Sequence, residues 1–109
     1  MPGEFQLILH AGVVDERLHP RLAQEIRRIY ASMFAVGEGQ VVVEITEIPQ
    51  GWFFTAAEPS RSSLVGGTVA AGTSRPDRTR LMTEISEMWC AITGCAANEI
   101  VVSVSDDGA

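Results

Sequence analysis

Arg21-Leu22-Ala23-Gln24-Glu25-Ile26-Arg27-Arg28-Ile29-Tyr30 returns 59 residues later as Arg80-Leu81-Met82-Thr83-Glu84-Ile85-Ser86-Glu87-Met88-Trp89. Both copies hold a leucine, an isoleucine, a further long apolar side chain and a large aromatic ring at helical spacing, with Arg and Glu repeated among the polar positions. The agreement continues downstream at the same offset. Val41-Val42-Val43-Glu44-Ile45 maps onto Ile100-Val101-Val102-Ser103-Val104, two β-branched segments that read as strands. A match of both helix stripes and both following strands in one register is an internal repeat. Each half reads as strand, helix, strand, and a helix joining two strands of one sheet implies a parallel, right-handed crossover. The expected fold is therefore α/β (α+β in some schemes): two tandem β-α-β units forming a four-stranded sheet with both helices on one face. The chain is expected to be one domain over residues 1–109, with repeats at about 2–57 and 61–106.

Outward from the repeat, Glu4 to His10 reads as the first strand, with Phe5, Leu7 and Leu9 on one face and Gln6, Ile8 and His10 on the other. The first helix starts near His19-Pro20, where proline suits the opening turn, and stops at Gly37 and Gly39. Arg27 and Arg28 fall off its apolar stripe and are expected to be solvated. Pro49-Gln50-Gly51 signals a turn, Trp52-Phe53-Phe54 puts three aromatics on a short loop or strand, and Glu58 to Ser63 is a polar connector. Leu64 to Gly72 is small, apolar and glycine-rich, which permits close backbone approach. The second helix has Pro76 near its start and Gly94 at its end, the last strand spans Ile100 to Ser105, and Asp106 to Ala109 is an acidic tail. The helices leave one sheet face uncovered, and that face carries Ile8 and Val42. An apolar sheet face needs a cover, so oligomerisation is expected.

Composition narrows the function classes. The 109 residues are 46% hydrophobic and 20% charged, which is a globular balance, and the net charge of −6 comes without a basic stripe, so nucleic acid is not an expected partner. Apolar runs are too short to span a membrane, and Glu4, Gln6 and His10 interrupt any leader-like segment. Cys90 and Cys95 lie in or just past one helix, without a second pair to complete a metal site. They are read as packing residues in a reduced, cytoplasmic compartment. No phosphate loop, zinc spacing or dinucleotide fingerprint is present, so no metal or cofactor is expected.

Pro2 stands directly before the first strand. If Met1 is removed, the chain opens with a secondary amine on a rigid element, a group able to act as base or nucleophile. Arg75 and Arg78 open the second helix. Cations there oppose the helix macrodipole by about 0.3–1 kcal/mol, whereas two guanidinium groups beside free backbone N–H groups suit an anion. Glu44 and Glu47 lie on opposite strand faces and do not make a carboxylate pair, and Arg61, which matches Pro2 at the repeat offset, reads as surface.

A doubled β-α-β unit beginning with proline after methionine resembles the tautomerase superfamily, over nearly the whole chain. Gly12-Val13-Val14-Asp15-Glu16 is similar to the Gly-x-x-Asp-Glu step after the first strand of 4-oxalocrotonate tautomerase. The run from Val43 to Phe53 is similar to that family's second strand and hairpin, with Phe53 at the pocket aromatic. Ser74-Arg75-Pro76-Asp77-Arg78 is similar to the arginine pair opening the second helix of malonate semialdehyde decarboxylase and cis-3-chloroacrylic acid dehalogenase. The resemblance implies a homotrimer and a cofactor-free isomerase, a keto–enol tautomerase of a small anionic 2-oxo or enol acid. Pro2 would be the general base, Arg75 and Arg78 would hold the carboxylate, and His10, Trp52 and Phe53 would line the substrate. Hydration, dehalogenation or decarboxylation with a protonated Pro2, and a non-catalytic trimeric homologue, are the alternatives the resemblance leaves open. The sequence departs from the pattern in four places. Val13 and Val42 stand where the short tautomerases carry arginine, Gln40 is nearest the decarboxylase's acid, and only Asp106 or Asp107 lies near the dehalogenase's C-terminal carboxylate.

Overall fold

The computed structural model describes residues 3–49, 54–55, 58–59 and 62–106. Strand β1 (Gly3–His10) leads through a turn into helix α1 (His19–Phe34) and strand β2 (Val41–Ile48). A short antiparallel ribbon of β3 (Phe54–Thr55) and β4 (Glu58–Pro59) follows, within the segment expected to be a short loop or strand and a polar connector. Strand β5 (Ser63–Val69), helix α2 (Arg75–Thr93) and strand β6 (Ile100–Asp106) complete the second unit. The main sheet runs β2-β1-β5-β6. β1 and β5 each pair in parallel with the strand of their own unit and pair with each other antiparallel, so the two units meet back to back at the sheet centre.

Alternation decides the faces. Phe5, Leu7 and Leu9 of β1, Val65 and Val69 of β5, Val41 of β2 and Ile100 of β6 are buried under the helices. Against them α1 sets Leu22, Ile26, Ile29 and Tyr30, and α2 sets Leu81, Ile85 and Trp89. The 59-residue offset therefore holds for burial: Leu22 and Leu81, Ile26 and Ile85, and Tyr30 and Trp89 are all sealed from solvent. It holds even for the connections. The 3-10 turns Glu38–Gln40 and Ala97–Glu99 stand at the same offset. So do the left-handed residues that end the helices, Ala35 (φ 53°) and Gly94 (φ 74°). Helix α1 thus ends at Phe34, three residues before Gly37. Its chain reversal falls on an alanine, where the left-handed conformation costs roughly 1–2 kcal/mol, while α2 places glycine at the equivalent position.

Three further differences from the sequence reading follow from packing. Arg27 is half-buried, with its Nε donating to the Val41 carbonyl oxygen (3.4 Å), so its guanidinium closes the start of β2 rather than facing bulk water. Asp106 is the last residue of β6, not the first of a tail. The uncovered sheet face is mixed rather than apolar. Val42 and Val101 are 46% and 49% exposed on the two edge strands, but Glu4, Gln6, Glu44, Thr46, Ser103 and Ser105 share that face.

The turn after β1 is held by Asp15, whose carboxylate accepts from the Arg17 backbone N–H (2.9 Å) and pairs with the Arg17 guanidinium (2.8 Å). Those hydrogen bonds hold the Asp15 carboxyl at about 2. A carboxyl lowered in this way supports the turn above its ordinary range and loses that support as pH falls toward 2.

Candidate active site

The ladders place the candidate residues at the two ends of the sheet. Gly3 pairs with Val41 on one side. On the other side Glu4 pairs with Thr68, one residue from Val69, and Val69 pairs with Asp106. The start of β1, the end of β5 and the end of β6 therefore form one row. With strands about 4.8 Å apart, Asp106 stands roughly 10 Å from Gly3 across the sheet.

Helix α2 adds its first turn to this row. Ser74 caps it, its Oγ accepting from the Asp77 N–H (3.2 Å), while the Arg78 N–H donates to the Ser74 carbonyl oxygen (3.0 Å). Arg75 and Arg78 are three residues apart on this capped turn, which puts their Cβ atoms about 5–6 Å from each other. Their surroundings differ. Arg75 is exposed and has no ion pair among the described residues. Arg78 is half-buried, and its Nη1 lies 3.3 Å from Asp106 Oδ2, the carboxylate itself only 17% exposed. A guanidinium held through one nitrogen by one carboxylate oxygen is fixed in direction and keeps its remaining N–H groups for another acceptor.

The β1 side of the row is tightly packed. A Cβ on Gly3 would stand 2.7 Å from Cζ of Tyr30, so the ring lies directly on the Gly3 backbone. Tyr30 is itself clamped, edge-on to Phe5 (centroids 5.9 Å apart) and tilted against Phe34 (4.6 Å). This aromatic stack fixes where the chain enters the sheet. On the uncovered face just inside the same end, a hollow of about 260 Å³ is lined by Glu4, Gln6, Gly66, Thr68, Ser103 and Ser105.

Of the six residues singled out from the sequence, the structure joins Arg75 and Arg78 to the end of the sheet where β1 starts. His10 is buried at the other end of β1, about 23 Å along the strand from Gly3, so within one chain it stands apart from the arginines. Pro2, Trp52 and Phe53 lie outside the described residues, as does Arg61. Asp106, named from the sequence only as one of two residues near the dehalogenase's C-terminal carboxylate, joins the arginines. Its signal was the acidic residue directly after a β-branched strand, but only its pairing with Arg78, 28 residues away, separates it from a tail. His19, at the start of α1, has Nε2 3.7 Å from Glu47 Oε1 near the far end of the sheet. Among the described residues no group of three or more His, Cys, Asp or Glu could hold a metal ion, and no helix is long and apolar enough to cross a membrane.

No protein-family model and no curated protein matches the sequence. Solved structures match it over 94% of its length. The structure of native Ps01740 is 27% identical with a TM-score of 0.89, and 92% of that chain is covered. N1, a member of the cis-3-chloroacrylic acid dehalogenase family, is 14% identical with a TM-score of 0.87 over 73% of its chain. A fused 4-OT, solved as a wild-type symmetric trimer, is 14% identical with a TM-score of 0.84 over 84% of its chain. With two β-α-β units back to back in one sheet and this set of structural neighbours, the chain has the fold of the tautomerase superfamily.

Proposed function

We propose that this protein is a cofactor-free tautomerase of a small 2-oxo or enol carboxylic acid, working as a homotrimer with Pro2 as its amino-terminal residue. The observation that carries the reading is the row itself. A capped helix turn brings two guanidinium groups, one exposed and one oriented by Asp106, to the end of the sheet where β1 begins. Pro2 is bonded to Gly3, the first residue of that strand.

Ketonisation moves a proton from an enol oxygen to carbon, so it needs a base that is neutral at working pH and positive charge where oxygen carries the developing negative charge. A free α-amine has an ordinary pKa of about 7.7–8.0. A nearby guanidinium disfavours its protonated form and draws that value down, and Arg75 is the one whose charge no ion pair among the described residues offsets. With Met1 removed, the Pro2 nitrogen takes the enol proton, and the same proton returns to the substrate carbon. Arg75 grips the substrate carboxylate, and Arg78 offers its remaining N–H groups to the 2-oxygen. The trimer supplies a cover for Val42 and Val101, exposed at repeat-equivalent positions on the two edge strands. The fused 4-OT neighbour is described as a symmetric trimer.

Ketonisation of phenylenolpyruvate, followed by absorbance against pH with untagged protein, tests this. A neutral base gives a kcat/KM that rises with pH through the amine pKa and then levels. A rate that climbs toward low pH gives Pro2 the role of an acid, which is the hydration or decarboxylation chemistry. No turnover by protein whose mass proves loss of Met1 counts against the tautomerase reading.

A further inference from the structure

We infer that Asp106 sets the charge class of the substrate, restricting the site to monocarboxylates. The inference rests on the tautomerase reading and adds to it. It begins from the inequality of the two arginines. Arg78 has its charge opposed at 3.3 Å by Asp106, and both side chains are more than two-thirds withdrawn from water, where screening is weaker. Arg75 is the exposed cation without an ion pair among the described residues. The pair is neutral in sum, so the helix turn presents one net positive charge from its two arginines.

Among the described residues, the rest of this helix turn and sheet end adds acids rather than a further cation. Asp77 lies in the same first turn, and Glu4 lines the hollow on the uncovered face at this end of the sheet. One carboxylate of a substrate finds its counter-charge in Arg75. A second carboxylate would meet Arg78 already paired, with Asp106 and Glu4 repelling it. Arg78 remains useful to a monocarboxylate because a guanidinium held at one nitrogen still donates to a neutral or partly charged 2-oxygen. Asp106 acts through Arg78, and it fixes both that guanidinium's direction and the number of anionic groups the site accepts.

The experiment compares two enols, phenylenolpyruvate with one carboxylate and enol-oxaloacetate with two, in wild type, Asp106→Asn, Asp106→Glu and Asp77→Asn. Wild type is expected to favour the monocarboxylate. Asp106→Asn keeps the shape and removes the charge, and it is expected to raise kcat/KM for enol-oxaloacetate relative to phenylenolpyruvate by about tenfold. Asp106→Glu is expected to restore the wild-type ratio. Asp77→Asn removes a charge from the same turn without freeing Arg78 and should leave the ratio within about twofold. An unchanged ratio in Asp106→Asn overturns the inference, and so does an equal shift in Asp77→Asn, which would reduce the effect to diffuse electrostatics. If wild type turns over neither enol, the tautomerase reading fails. Calorimetric affinities for 3-phenylpropanoate and succinate then decide the charge-class inference by the same comparison of variants. Tighter succinate binding in Asp106→Asn alone supports it, and equal affinities in all four proteins overturn it.

Discussion

Pro2→Ala is expected to lower kcat/KM for phenylenolpyruvate ketonisation by about 10²-fold, the lower part of the range for loss of a positioned general base. The loss is not larger because alanine still provides an amine at the same place in the chain once Met1 is removed. What disappears is the ring. Proline fixes its own φ near −65° and holds its nitrogen in one direction, whereas a primary amine on alanine rotates about its bond to Cα and shares its time among directions. The start of β1 leaves little room for the chain to compensate, because Tyr30 lies on Gly3 and is itself packed between Phe5 and Phe34. The deficit should therefore appear mainly in kcat, with KM for the substrate nearly unchanged, since Arg75 and Arg78, proposed to hold the substrate, are untouched. Steady-state kinetics on mass-verified protein separate the two parameters. Equal rates for wild type and variant would take Pro2 out of the chemistry.

Trp89→Ala destabilises the protein by about 3–5 kcal/mol, the usual cost of deleting a large core aromatic, read as a fall in the urea midpoint. Trp89 is fully buried and is the largest sealed side chain among the described residues. It belongs to the core cluster under α2, which packs against β6 and α1, and so helps hold the helix whose first turn carries Arg75 and Arg78. Trp89→Phe should recover most of the loss. The indole Nε1–H is buried with no hydrogen-bond partner among the described residues, so phenylalanine gives up volume but no hydrogen bond. A Phe variant as unstable as the Ala variant would mean that the indole nitrogen has an acceptor after all.

The pairing of Tyr30 with Trp89 also explains why the fold was legible. Both helices solve one problem, filling the space over a central strand, and both need a large ring at one position. The 59-residue offset exposes that shared need directly in the residues. It reaches as far as the left-handed cap, where Ala35 and Gly94 adopt one backbone conformation although only one of them is glycine. Sequence placed α1's end at Gly37 because a left-handed alanine has no local signal. Strand order was not legible either. Nothing in Phe5, Leu7 and Leu9 states that β1 joins β5 antiparallel, because a strand buried on its helix face keeps the same alternation whichever neighbour it takes.

The candidate site was legible in part for the same reason. Arg75 and Arg78 stood out because cations at a helix start run against the dipole, a local contradiction that invites a functional reading. Asp106 carried no such contradiction. Its meaning comes from register, since Val69 pairs with Asp106 at the sheet end where β1 begins. His10 was grouped with the site through its place at the end of the first strand and the family resemblance, and the length of β1 sets it about 23 Å along the strand from Gly3, at the opposite end of the sheet from the Arg78–Asp106 pair.

The proposed chemistry requires a mature chain that begins with a Pro2 amine neutral near pH 7. Nitrogen-15 NMR of protein labelled only at proline, made without a tag and titrated from acid to base, observes that amine directly. The account predicts a titrating Pro2 nitrogen with a midpoint below about 7, under the ordinary α-amine value of about 7.7–8.0. A Pro2 nitrogen that does not titrate because Met1 is still attached to it, or one with a midpoint at 8 or above, would contradict the account.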